Sequence, residues 1–364
     1  MRLDEATAIV LKKLPQRRMK DVLEKRFGLK GGRKKTLEAI GGEYKITRER
    51  VRQIEADALK NLSKPGNLSE VEPLFRALEG HLKDHGGVVP EDHLLTTLVD
   101  NKPSHFPLGS TPTKDSAVFT RRWEGKYRQN LVFLLNIGGP FHFAPEADYY
   151  HDRWAVSKEK VQGVEKVMAA VVGSLSNAGK PVSGDGIRSL IAEYFKSFHG
   201  DVPDEKAVEA YLKSSKLISS NPYSEYGLIS WPTISPRGVR DKAYLVLAKY
   251  GKPMHFREVA SAISNAGWSK RKAHPQTVHN ELIKDSRFVL VGRGLYALKD
   301  WGYEQGTVKD VLINVLKRAG RPVSKDEIIK LVLEKRFVKD PTILLNLQNR
   351  ALFKKMEDDR YTLV

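Results

Sequence analysis

After residue 67 one order of signals recurs four times, and this recurrence limits the fold more than any other feature of the chain. A stretch with apolar residues at helical spacing ends in glycine, and a short turn containing glycine or proline follows. A second helical stretch then opens, and further on an alternating apolar segment closes the unit. The turns are GGVVPEDHLLTTLV from Gly86, GKPVSGDGIRSLI from Gly179, GKPMHFREVASAI from Gly251 and GRPVSKDEIIKLV from Gly320. The closing segments are FHFAPEADYYHDRWAVS from Phe141, YGLISW from Tyr226, RFVLVGRGLYAL from Arg287 and KKMEDDRYTLV from Lys354. Glycine ends the first helix of each unit because it alone enters the left-handed region without strain. In the third closing segment Phe288 and Leu290 alternate before Gly292–Gly294, and Leu295 and Ala297 alternate after it, the pattern of a hairpin. Three helices and a two-stranded wing make a winged helix. Spaced at about 70 to 90 residues, the units are expected as discrete domains rather than a stacked solenoid.

The N-terminal stretch has a different signature. Residues 36–60 read TLEAIGGEYKITRERVRQIEADALK. Ile46 closes a turn, and the Thr47 hydroxyl is placed to accept a free backbone N–H of the following helix. On a helix starting at Arg48, the residues Val51, Ile54, Ala58 and Leu62 share one face and pack inward. Arg48, Glu49, Arg52 and Gln53 then fall together on the other side, in the first two turns. That is where a recognition helix meets base edges in the major groove. The residue types agree: Arg pairs with guanine O6 and N7, Glu accepts from cytosine N4, and Gln reads adenine. A solvated helix with i,i+4 charge pairs would explain the charges but not the helix-turn-helix in front of them.

This stretch resembles region 4 of the bacterial primary-type sigma factors, the domain that recognises the −35 promoter element. The resemblance runs from Leu14 through RRMKDVLEKRFGLKGGRKKTLEAIG to near Ser63, with RFGL at Arg26–Leu29, TLEAIG at Thr36–Gly41 and TRERVRQIE at Thr47–Glu55. It implies base contacts by Arg48, Glu49 and Gln53. It implies backbone contacts by Arg26, Arg50 and Arg52 and by the helix N-terminus that Thr36 opens. Such domains also dock on the polymerase flap. The chain departs from the family in two places. Lys45 stands where a glycine is usual, so a left-handed position is expected on a non-glycine residue. Asp57 stands where a basic residue is common, which puts an inherited activator contact there in doubt. Residues 1–13 leave no room for the parts of a sigma factor that precede region 4, so the chain is not expected to open a promoter by itself.

Residues 238–300 resemble the HARE-HTH family, winged helices also found in the delta subunit of bacterial RNA polymerase and in restriction and chromatin proteins. The matching residues are Gly251–His255, His274–Val278, Arg287-Phe288 and Gly292–Gly294. Lys270, Arg271 and Lys272 lead into a helix expected after Pro275, which suits a first helical turn. Gln276, Thr277, His279 and Asn280 are expected at its exposed beginning, and Arg293 at the wing tip. Together they would form a second DNA surface.

The net charge of +18 is unevenly spread: +9 in residues 1–67, −3 in 68–155, zero in 156–236, +8 in 237–303 and +4 in 304–364. These five segments are the expected domains. Clustered positive charge gains affinity for phosphates through counterion release. The two middle units lack it, so spacing or protein docking suits them better. The first holds NKPSHFPLGSTPTKDS from Asn101, read as a flexible insertion, and an apolar run from Leu131 to Leu135, read as a core helix.

The chain has no cysteine, which excludes disulfide scaffolds and thiolate metal sites. It shows neither a signal peptide nor an apolar run of membrane-span length, so a cytoplasmic, nucleoid-associated protein is expected. His142, Glu146, Asp148 and His151 lie close together, but on an alternating segment interrupted by Pro145 they need not converge on a metal. Gly184-Asp185-Gly186 lacks the context of a nucleotide-binding loop. Trp123, Trp154, Trp231, Trp268 and Trp301 read as core or wing anchors. Nothing points to an enzyme, a cofactor or a small-molecule substrate. The expected fold is mainly α with small β wings, a helix-turn-helix domain followed by four tandem winged helices. The expected partners are double-stranded DNA and RNA polymerase. Two alternatives stay open: a polymerase accessory protein of the delta-subunit type with incidental DNA contact, and a DNA-binding accessory of a restriction or modification system.

Overall fold

The computed structural model describes residues 1–100, 117–200, 202–269, 271–356 and 359–364. The Asn101–Ser116 insertion and Lys270 lie outside the described residues. The chain is 59% helical, with small antiparallel three-stranded sheets, so the mainly-α expectation holds. No described helix is long and apolar enough to cross a membrane. The chain divides into two compact units, Met1–Ser219 and Ser220–Val364.

The first unit opens with four helices: α1 (Leu3–Lys12), α2 (Arg17–Phe27), α3 (Leu37–Tyr44) and α4 (Arg48–Leu62). On α1 the buried Leu3, Ala6, Val10 and Leu11 repeat at helical spacing and form one stripe. Gly28, at φ 73°, caps α2 in the left-handed region and turns the chain toward α3. The helix order then changes to the repeated plan: helix Glu72–Asp84, strand Val88–Pro90, helices Glu91–Asp100 and Ala117–Ile137, and strands His142–Ala144 and Arg153–Ala155. The last strand lies in the middle of the sheet, with Val89 opposite Trp154 on one side and Phe143 opposite Trp154 on the other.

Here the structure departs from the expectation of discrete domains. Leu131, Phe133, Leu134 and Leu135, on the helix Ala117–Ile137, are buried in the same core as Leu3, Val10, Leu23, Ala58 and Leu62. The Phe27 and Phe133 rings meet edge to face at 5.3 Å. The apolar run is therefore a core helix, and what it covers is the back of the N-terminal helices. Fully burying one such Leu or Phe is worth about 1.5–3 kcal/mol, so this shared seam binds residues 1–67 to residues 68–155 as one body. The helices Lys158–Ala178, Gly184–His199 and Glu205–Ser214 follow. Tyr211 donates its hydroxyl to the Gly86 carbonyl (2.6 Å), and His151 N–H donates to Ser214 O (3.0 Å), which joins them to the segment before.

The second unit contains the plan twice more. Helices Val239–Tyr250, Phe256–Asn265 and Pro275–Lys284 pack around Val246, Val259, Val278, Leu282, Phe288 and Tyr296. Strands Phe288–Gly292 and Leu295–Leu298 form the expected hairpin, and Met254–His255 pairs with its second strand. The far face of this hairpin is covered too: Val289, Val291 and Ala297 are buried with Leu295, Trp301 and Tyr303 against them. Helices Val308–Ala319, Lys325–Lys335 and Asp340–Leu347 with strands Phe353–Lys355 and Arg360–Leu363 complete the unit. Buried Arg336 donates to the Gly306 carbonyl and, at 3.5 Å, to that of Leu290 in the hairpin. Gly179, Gly251 and Gly320 are the left-handed C-caps of their helices, as their place in the repeat predicts.

Candidate nucleic-acid interface

The α3–α4 corner is set by local chemistry. The Thr36 hydroxyl accepts from the Ala39 N–H at 3.1 Å and opens α3, and the Thr47 hydroxyl accepts from the Arg50 N–H at 3.2 Å and opens α4. Between them, Ile46 N–H donates to Gly41 O at 3.0 Å. Lys45 occupies the left-handed region, φ 53° and ψ 44°, so the non-glycine residue does carry that strain. Gly41 is buried because the turn passes directly over it, and a Cβ there would lie 2.7 Å from Ile46 O. Sequence reading missed this requirement, although glycine inside a helical pattern is its usual mark.

Helix α4 has the two faces the spacing predicts. Val51, Ile54, Ala58 and Leu62 are buried, the first two against Val22 and Ile40. Arg48, Glu49, Arg50, Arg52 and Gln53 are all exposed. The Arg48 side chain has no hydrogen-bond or ion-pair partner among the described residues. Arg50 donates to the Gln53 side-chain oxygen at 3.0 Å. Arg52 Nε lies 2.9 and 3.1 Å from the two Glu49 carboxylate oxygens, and its Nη2 lies 2.6 Å from one of them. The Arg52 hydrogen bond holds the Glu49 carboxyl below the usual carboxylate range, so it is ionised at neutral pH.

Arg26 is placed differently. It is half-buried, with Nε 3.3 Å from Glu55 and Nη1 3.1 Å from the Lys35 carbonyl, so it ties α2 to α4 and to the entry of α3. Lys25 contributes a second tie that sequence reading did not single out. Its amine is 2.8 Å from Asp21 and 2.9 Å from Glu43, while the Tyr44 hydroxyl donates to Asp21. Hydrogen bonds from Lys35 and Lys25 hold the Glu43 carboxyl low. Arg33 and Lys34 stand exposed just before Thr36, and Asp57 is exposed on α4.

In the second unit the helix Pro275–Lys284 begins with proline at its first turn and buries Val278 and Leu282. Gln276, Thr277 and Asn280 are exposed, and the Gln276 amide donates to the Asn280 side-chain oxygen at 3.3 Å. His279 departs from the expected exposed row. It is half-buried, with its ring 4.6 Å from Phe256 and 5.8 Å from Tyr296, because its position faces the helix Phe256–Asn265 and the hairpin. Arg271 and Lys272 are exposed in a loop held by Ser269 Oγ donating to Arg271 O (2.8 Å) and Ala273 N–H donating to Ser264 Oγ (2.9 Å). Arg293 is exposed at the hairpin tip. Arg287, in the same basic segment, is drawn into the fold by Asp285 (2.6 Å) and Asp241 (3.0 Å).

Both surfaces fall in segments with known relatives. Residues 238–301 match the family described as HARE-HTH, the ASXL and restriction endonuclease HTH domain. The RNA polymerase sigma factor SigA of Nostoc is 51% identical over 59 residues, 16% of this chain and 15% of that protein. SigA of Lactococcus lactis subsp. cremoris is 56% identical over 48 residues, 13% of each. SigA of Clostridium acetobutylicum is 51% identical over 63 residues, 17% of this chain and 16% of that protein. The chain thus spans less than a fifth of the length of these sigma factors. Residues 10–64 match the family described as sigma-70 region 4, so the exposed row on α4 lies within a segment of that family.

Proposed function

We propose that this protein is a sequence-specific duplex-DNA-binding transcription regulator that reads a −35-like promoter element. Arg48, Glu49 and Gln53 enter the major groove and meet base edges, while Arg50, Arg26 and the N-terminus of α3 at Thr36 hold the backbone. The observation that carries this reading is the outer face of α4, a capped first turn whose polar side chains are all exposed while its inner face is buried. Arg271, Lys272, Gln276, Thr277, Asn280 and Arg293 form a second, phosphate-oriented surface, and inward-packed His279 supports it from behind. The segments between are winged helices that space the two surfaces. Contact with RNA polymerase, whose sigma factors share the region 4 segment, gives the regulator its target.

Equilibrium binding to duplexes with and without a −35 element, at two salt concentrations, tests the reading. The expected result is a preference of at least about tenfold for the element, on top of salt-sensitive binding to both duplexes. Absence of preference together with co-purification of RNA polymerase would favour the accessory-protein alternative.

A further inference from the structure

We infer that Arg52 is a positioning residue for Glu49, fixing and neutralising the carboxylate that reads a cytosine, rather than a phosphate contact. This rests on the proposed reading of a −35-like element by α4. The exposed side chains of the helix's first two turns fall into three kinds. Arg48 is a cation unpaired among the described residues, Gln53 is a neutral amide steadied by one bond from Arg50, and Glu49 is a carboxylate with both oxygens engaged by Arg52. Arg52 has no other side-chain partner among the described residues.

Two physical points give this clamp its meaning. Duplex DNA presents one negative charge per about 1.7 Å of axis, so a bare carboxylate brought into the groove is repelled. A guanidinium held on it removes most of that repulsion. A carboxylate also offers about four lone-pair sites, and the Arg52 fork leaves some of them free to accept from cytosine N4. Glu49 is a flexible side chain, and two-oxygen attachment to a neighbour three residues on restricts it before DNA arrives. The pair adds little to the fold, since both partners are mostly exposed, at 60% and 58%. Its effect therefore falls on recognition. A cation committed to Glu49 is also not available as an independent phosphate contact.

A double-mutant cycle tests this in the full chain. Wild type, Glu49→Ala, Arg52→Ala, Arg52→Lys and the Glu49→Ala/Arg52→Ala double variant are titrated with the −35-like duplex. The same titrations are run with duplexes in which each base pair of the element is replaced in turn. Glu49→Ala identifies the pair that Glu49 reads. Arg52→Ala is expected to lose discrimination at that same pair, roughly fivefold to hundredfold, with the double variant no worse than either single one. Arg52→Lys, which keeps the charge without the fork, is expected to restore part of the discrimination. The salt slope of the double variant should match wild type. If Arg52→Ala discriminates like wild type and its salt slope falls by about 0.9, Arg52 is a phosphate contact and the inference is overturned alone. If wild type itself shows no preference among the duplexes, the parent reading falls and this inference with it.

Discussion

Helix α4 in the first unit and the Pro275–Lys284 helix in the second are built on one plan but differ in what they expose. Each follows a turn, buries a short apolar row and carries polar residues in its first turns. On α4 all the residues at Arg48, Glu49, Arg50, Arg52 and Gln53 face solvent, and three of the five are arginines. On the other helix the exposed residues Gln276, Thr277 and Asn280 are uncharged, His279 is packed inward, and the basic side chains lie beside the helix at Arg271, Lys272 and Arg293. Charge placed on the helix itself suits base reading, whereas charge in a loop and at a hairpin tip suits the phosphate backbone. The comparison teaches that similar net charge in two segments can serve different work.

The largest expected effect comes from removing the base readers. Arg48→Ala combined with Gln53→Ala should cost about 1–3 kcal/mol of discrimination per residue in competition between matching and scrambled duplexes, while salt-sensitive binding persists. Preference that survives both changes would break the contrast. Next in size, Arg271→Ala, Lys272→Ala and Arg293→Ala together should weaken binding to every duplex and lower the salt slope by up to about 0.9 per lost contact. A change of sequence preference in this variant would assign base reading to the second unit. Smaller is the effect of Gly41→Ala, whose Cβ would meet Ile46 O at 2.7 Å. It should destabilise the α3–α4 corner by roughly 1–3 kcal/mol, read as a lower unfolding midpoint, and no equivalent effect is expected from Gly80, where an added Cβ meets nothing. Smallest is Lys45→Gly, which relieves left-handed strain but raises chain entropy, for a net stabilisation of up to about 1 kcal/mol in the same assay.

What could be read in advance, and what could not, follows from the range of each signal. The inner row Val51, Ile54, Ala58 and Leu62 was legible because a helix repeats every 3.6 residues. The caps at Thr36 and Thr47 and the hairpin around Gly292–Gly294 were legible for the same local reason. The joining of residues 1–67 to residues 68–155 was not. Spacing says that Leu131–Leu135 must be buried, but not that α1, α2 and α4 bury it. His279 was misplaced because the helix alone leaves it outside, and only Phe256 and Tyr296 draw it in. Arg26 and Arg287 illustrate the same limit, since their carboxylate partners Glu55 and Asp241 lie far away in sequence.

The central claim is that α4 reads base edges in the major groove, and methylation interference tests it most directly. Guanine N7 in a −35-like duplex is methylated before binding by wild type and by Arg48→Ala, and the bound and free fractions are compared. The account predicts that methylation of a guanine within the element blocks wild-type binding, because Arg48 needs O6 and N7 together, and that Arg48→Ala becomes indifferent to it. Wild-type binding that tolerates N7 methylation throughout the element would contradict the account.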